Sequence, residues 1–231
     1  EAAEGKGALD AWKALDDPGL RSRVKARRME TLAHLDRVLA LLPGSRVSEI
    51  KHLALGFFQA AALVKQAHPA IKLIVPAVPT LRAAIEHVAA QAGLLELVQI
   101  VSGQSHTVLA ACDVTLIASG TATLEAALYK RPMVIAYRMG WLSWQIMRRK
   151  QLQPWVGLPN ILSRDFIVPE LLQDSATPRA LADAVLQWLD DLDHQPAKMA
   201  ALQQQFVTLH HSLRRDTPTL ATDAIEKILA R

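Results

Sequence analysis

Two short stretches carry the residue types that bind anions. Ser119-Gly120-Thr121-Ala122-Thr123-Leu124-Glu125 follows the apolar run Val114-Thr115-Leu116-Ile117-Ala118 and opens an Ala/Leu-rich segment. A strand turning tightly into a helix there would set hydroxyls beside first-turn amides, which lack intrahelical acceptors and sit at the positive end of the helix dipole. That suits a phosphate. Pro43-Gly44-Ser45-Arg46 ends a second apolar run, Val38-Leu39-Ala40-Leu41-Leu42. Gly44 permits close backbone approach, Ser45 offers a hydroxyl, and Arg46 is a permanent planar cation able to grip a phosphate bidentately. Each stretch also has a plain structural reading. Thr121 or Thr123 could cap a helix with Glu125 in its first turn, and Pro-Gly-Ser is an ordinary helix start. A cap does not account for a glycine set inside a serine-threonine run, and Glu125 is a carboxylate placed to accept both hydroxyls of a ribose.

The elements that must position these turns follow from hydrophobic patterning. Nearly continuous apolar runs over 38–42, 71–75, 97–101, 114–118 and 133–137 predict central parallel strands covered on both faces. Helical spacing or composition fills 48–68, 80–92, 104–111 and 121–129 between them. The repeated strand-helix-strand order predicts an α/β fold, a doubly wound parallel sheet, with both candidate turns at carboxyl ends of strands, where such sheets bind ligands. After Tyr137 the alternation stops. Trp141, Trp144, Met147, Arg148, Arg149, Lys150 and Trp155 form a basic and aromatic stretch, followed by Leu158-Pro159-Asn160 and Val168-Pro169-Glu170-Leu171-Leu172-Gln173. Helices over 178–192, 196–213 and 218–230 close the chain, each opened by a proline. Three parts result: a charged, Ala-rich helical or linker segment over 1–37, an α/β domain over 38–217, and a terminal helix over 218–231.

Composition narrows the function. The chain has 231 residues, 51% hydrophobic, enough for a substantial core. A formal net charge of +4 favours an anionic partner, yet the cations are dispersed and aromatic residues make up only 5%, so nucleic acid is not indicated. Cys112 is the only cysteine and lies in an apolar segment, which excludes a disulfide framework and reads as a core thiol. The eight histidines lack metal-ligand spacing, so neither a metal nor another cofactor is expected. Neither a Walker lysine signature nor GxGxxG occurs. With an acidic start, Glu1-Ala2-Ala3-Glu4, and no run of about 18 apolar residues, neither a signal peptide nor a spanning helix is expected. A first residue other than methionine suggests a piece of something longer.

The segments LALLPGSRVSEIKHL, LIASGTATLEAALYKRPMVIAYRM and VGLPNILSRDFIVPELLQD together resemble the carboxyl-terminal half of the lipid A disaccharide synthase family, GT-B glycosyltransferases with Rossmann-like halves. The resemblance runs from about Val38 to the end of the chain. It implies a half that holds UDP-2,3-diacylglucosamine, whose sugar is transferred to lipid X with inversion and release of UDP, without a metal. Carried over, Arg46 neutralises the departing diphosphate, helped by Gly44, Ser45 and the amides and hydroxyls of Ser119, Gly120, Thr121, Ala122 and Thr123. Glu125 or Glu170 holds the ribose, with the choice open, while Asn160 and Gln173 contact the donor's sugar or phosphates. The acceptor face and the general base belong to an amino-terminal half that this chain lacks, so the chain alone should bind donor without efficient turnover. The terminal helix would cross onto that half. Acylated substrates further imply peripheral attachment to an anionic surface, the cytoplasmic face of the bacterial inner membrane, through Trp141, Trp144, Arg148, Arg149 and Lys150. Whether the protein forms a homo-oligomer stays open, as does a different class of function, a noncatalytic nucleotide-sugar or phosphate-binding module.

Overall fold

A computed structural model describes residues 37–140, 144–146, 149 and 153–229. All but the last residue of the segment expected over 1–37, together with Trp141, Arg148 and Lys150, lies outside the described residues. Six parallel strands form one sheet: β1 (Val38–Leu42), β2 (Lys72–Ala77), β3 (Val98–Ser102), β4 (Val114–Ala118), β5 (Met133–Tyr137) and β6 (Glu170–Leu172). Their order is β3-β2-β1-β4-β5-β6, so the sheet winds outward in both directions from the β1/β4 pair. Such a reversal of strand order leaves a crevice at the carboxyl ends.

Burial explains the patterning. Every residue of β4 is buried, Thr115 included, as are the first four of β5, because helices cover both faces. Nearer the edge, β2 alternates, with Leu73, Val75 and Ala77 buried and Lys72 exposed. The β1–β2 ladder joins only Val38–Ala40 to Lys72–Ile74. Pro76, which has no N–H to donate, comes after that ladder has ended.

Helix α1 (Val47–Ala67) contains a π-helical turn over Ile50–Ala54. It is long and apolar enough by composition to cross a membrane, yet its Phe57, Phe58, Ala60, Ala61 and Val64 are fully buried in the domain core. Each phenylalanine so buried contributes about 2–3 kcal/mol of transfer free energy. A 3-10 turn at Pro79–Leu81 leads into α2 (Arg82–Gln91), and α3 (Ser105–Ala111) and α4 (Thr121–Leu128) complete the crossovers. Helix α6 (Pro178–His194) packs against α1, β4 and β5. Thr177 caps it, its Oγ1 accepting from Ala180 N at 3.2 Å, with Pro178 in the first turn. Trp188 Nε1 donates to the Met133 carbonyl at 2.9 Å and ties this helix to the sheet.

The five expected strands and seven expected helices are all present, with ends displaced by a few residues. Two further elements go beyond the sequence expectation. Helix α5 (Leu158–Ser163) and the three-residue strand β6, which pairs in parallel with β5, extend the sheet past Tyr137. A half-buried strand of three residues offers no measurable period, so only its pairing identifies it. Helices α7 (Pro196–Leu213) and α8 (Thr217–Leu229) finish the chain; no residue of α8 is buried, and Leu220, Ile225, Ile228 and Leu229 are exposed.

Candidate functional site

The β1–β4 ladder ends with Leu42 beside Ile117, so the turns that follow these strands emerge together at the point where strand order reverses. They form opposite walls of a cleft of about 390 Å³. One wall consists of Gly44, Ser45, Arg46 and Glu49, the other of Ser119, Gly120, Thr121, Ala122 and Glu125. That volume falls in the range of small-molecule sites.

At the first wall, Gly44 has φ +124°, and a Cβ there would collide with the Cβ and carboxylate of Glu49. Glu49 belongs to the start of α1 and folds back over the turn. Its Oε2 accepts from Ser45 N at 2.8 Å and Arg46 N at 3.2 Å, and its Oε1 accepts from Arg46 Nη1 at 2.7 Å. Tyr137, at the end of β5, feels the same charges. Burial first, and then the Glu49 carboxylate, raise its phenol above the usual range, with Arg46 opposing them.

At the second wall, the backbone of Gly120 is extended, and a Cβ on it would meet nothing within 4 Å. Gly120 is the N-cap of α4 and has no side chain with which to cap it. Neither threonine takes that role: Thr123 is fully buried, and its Oγ1 donates back to the Gly120 carbonyl at 2.7 Å. The first turn of α4 therefore meets the cleft through Thr121 and Ala122, at the end of the helix where amides lack intrahelical acceptors, while the Thr123 amide is engaged by the Gly120 carbonyl at 3.2 Å. Glu125, one turn on, pairs with His106 Nε2 at 3.2 Å. Glu125 also helps burial to raise the nearby Tyr129 phenol.

Asn160, Glu170 and Gln173 do not line this cleft. Asn160 is fully buried, and its amide is saturated within the chain. Its Nδ2 donates to the Val168 carbonyl at 2.9 Å and to Glu170 Oε1 at 2.8 Å, while Oδ1 accepts from Ile167 N at 3.0 Å and Val168 N at 3.1 Å. Glu170 also accepts from Val156 N and Gly157 N, both at 2.9 Å. The Val156 carbonyl in turn accepts from the Ser119 hydroxyl at 2.9 Å. Asn160 and Glu170 thus form a polar strap that fastens the segment after residue 153 to the second wall. Gln173, at φ +51°, can donate to Met139 O and accept from Met139 N, each at 3.2 Å, once its amide is oriented to suit both.

Sequence reasoning missed Glu49, Pro76, Val78 and Ser105 as cleft residues, and His106 as the partner of Glu125. Pro76, Val78 and Ser105 lie at or just past the carboxyl ends of β2 and β3, and that position was their available signal. Glu49 carried only a weak signal, a glutamate at the third helical position that reaches back to the Arg46 amide, since Arg46 has no acceptor with which to complete a capping box. Trp144 is half-buried and Arg149 exposed. Among the described residues no three His, Cys, Asp or Glu side chains converge as metal ligands would.

A family model described as lipid-A-disaccharide synthetase matches residues 18–225 of the chain. Lipid-A-disaccharide synthase of Albidiferax ferrireducens is 72% identical over 207 residues, covering 90% of this chain and 53% of that relative. The enzyme of that name from Verminephrobacter eiseniae is 64% identical over 208 residues, 90% of this chain and 54% of the relative. The chain spans about half the length of the curated relatives it matches. Among solved structures, the pneumococcal O-GlcNAc transferase GtfA in complex with UDP and GlcNAc aligns with a TM-score of 0.54 at 14% identity, over 85% of this chain and 37% of that one. The fold is that of a glycosyltransferase domain of the GT-B kind.

Proposed function

From the premise that the chain belongs to the lipid-A-disaccharide synthetase family, we propose that it is the donor-binding half of an inverting glycosyltransferase. Its donor is UDP-2,3-diacylglucosamine, its acceptor is lipid X, and UDP is the product released. The observation that carries this reading is the convergence of Gly44-Ser45-Arg46 and Ser119-Gly120-Thr121-Ala122 on one cleft at the strand-order reversal. Negative charge builds on the diphosphate as the glycosidic bond breaks, and a guanidinium with preorganised amides is the apparatus that stabilises it. The proposal gives that charge to Arg46 and the first turn of α4 rather than to a metal ion.

Between the two candidates for the ribose, Glu125 is favoured. It lines the cleft, whereas both oxygens of Glu170 are engaged by Val156, Gly157 and Asn160. Asn160, Glu170 and Gln173 then act from behind the site by holding its wall in place. The general base and the acceptor face come from the part of the full-length relatives that lies outside this chain. Exposed Leu220, Ile225 and Ile228 of α8 give that part an apolar surface to cover.

Calorimetric titration tests the assignment. UDP should bind about tenfold more tightly than UMP, because the second phosphate adds charge-assisted hydrogen bonds to Arg46. Arg46→Ala should remove most of that difference. Equal affinity for UDP and UMP would sink the diphosphate assignment. Attachment to the cytoplasmic face of the inner membrane is proposed through Trp141, Trp144, Arg148, Arg149 and Lys150. Flotation with anionic liposomes should be lost in a Trp144→Glu, Arg148→Glu double variant; unchanged flotation moves the contact elsewhere.

A further inference from the structure

The turn that should receive the diphosphate already holds an anion of the chain's own. The Glu49 carboxylate holds the Ser45 amide at 2.8 Å, the Arg46 amide at 3.2 Å and Arg46 Nη1 at 2.7 Å. Those are the donors the Gly44-Ser45-Arg46 turn presents to a phosphate. The glycine permits this occupation, since any Cβ at residue 44 would stand where the Glu49 side chain lies. Glu49 itself lines the cleft, opposite the first turn of α4.

We infer that Glu49 is an internal placeholder that the nucleotide diphosphate must displace, which makes it a specificity-determining residue of the donor site. The inference rests on the donor-site reading above. A carboxylate and a phosphate cannot share the same amides and guanidinium at hydrogen-bond distance, because two anions so close repel strongly. The ion pair itself is weak, with the Arg46 side chain 76% exposed, and the two amide hydrogen bonds from Ser45 and Arg46 that Glu49 gives up are regained by the incoming phosphate. A diphosphate carries more charge than one carboxylate and also reaches the first turn of α4, so it wins the exchange. A neutral nucleoside does not contest it.

A permanent cap gives the same contacts, with Glu49 reaching back from the third helical position to the Ser45 and Arg46 amides. The two roles differ in sign on removal of the charge. Titration of UDP and of uridine into the chain and its Glu49→Gln and Glu49→Ala variants separates them. Displacement requires UDP to bind about fivefold more tightly to either variant, with uridine unchanged. A permanent cap requires UDP affinity to stay the same or fall, and that result overturns the inference while wild-type UDP binding preserves the donor site. Binding of UDP to none of the three proteins removes both. A structure of the wild-type chain with UDP gives a second test independent of variant folding: Glu49 should have left Ser45 N, and a carboxylate still seated there beside bound diphosphate refutes displacement.

Discussion

The two glycine turns that face each other across the cleft owe their glycines to different causes. At Gly44 the chain itself demands the residue, because φ is +124° and Glu49 lies where a Cβ would go. At Gly120 the chain demands nothing: the backbone is extended, as any residue's can be, and the space beside it is empty. One glycine serves the fold, and the other leaves volume in a cleft. A glycine with no internal justification, at the start of a helix whose first turn meets that cleft, is a sign of a ligand approaching from outside.

Substitutions can break this contrast. The largest effect is expected for Gly44→Ala, which should cost about 3 kcal/mol of stability through backbone strain and the Glu49 collision, read as a lowered midpoint in urea. A midpoint equal to wild type would show that the turn relaxes freely. Gly120→Val should do the reverse, weakening UDP binding about 30-fold by filling the cleft while the urea midpoint holds. Loss of stability there would make Gly120 structural after all and remove the contrast.

Smaller changes sharpen the picture of how the second wall is held. Glu170→Gln should cost about 1–2 kcal/mol of stability, since one acceptor oxygen is replaced by a donor facing the donors Val156 N, Gly157 N and Asn160 Nδ2. UDP affinity should fall by a lesser factor, through Ser119 and Val156. A variant of full stability with abolished UDP binding would instead return Glu170 to direct ligand contact. The smallest effect is expected for His106→Ala. Its exposed pair with Glu125 is worth about 0.5 kcal/mol at most, so UDP affinity should drop less than threefold. A tenfold loss would show that Glu125 depends on this partner for its orientation.

Legibility followed the strength of local pattern. Strands β1, β4 and β5 are buried on both faces, which leaves uninterrupted apolar runs in the sequence. The walls of the cleft were readable because turns after such strands carry glycine, hydroxyl and arginine side chains together. Strand β6 was not readable: Glu170-Leu171-Leu172 has no period to detect and exists through its pairing with Ile135–Tyr137. Asn160 and Glu170 show the same limit at the level of side chains. Both were recognisable as special residues, but sequence could not say that they bond each other and the Val156-Gly157 amides.

By itself the sequence determined the strand-helix alternation, the two anion-binding turns and the family, because these rest on contacts between near neighbours and on motifs of a few residues. Tertiary structure alone decided which residues share the cleft: parallel pairing sets Leu42 of β1 beside Ile117 of β4, so two turns far apart in the chain open together, and such a long-range pairing leaves no local pattern to read.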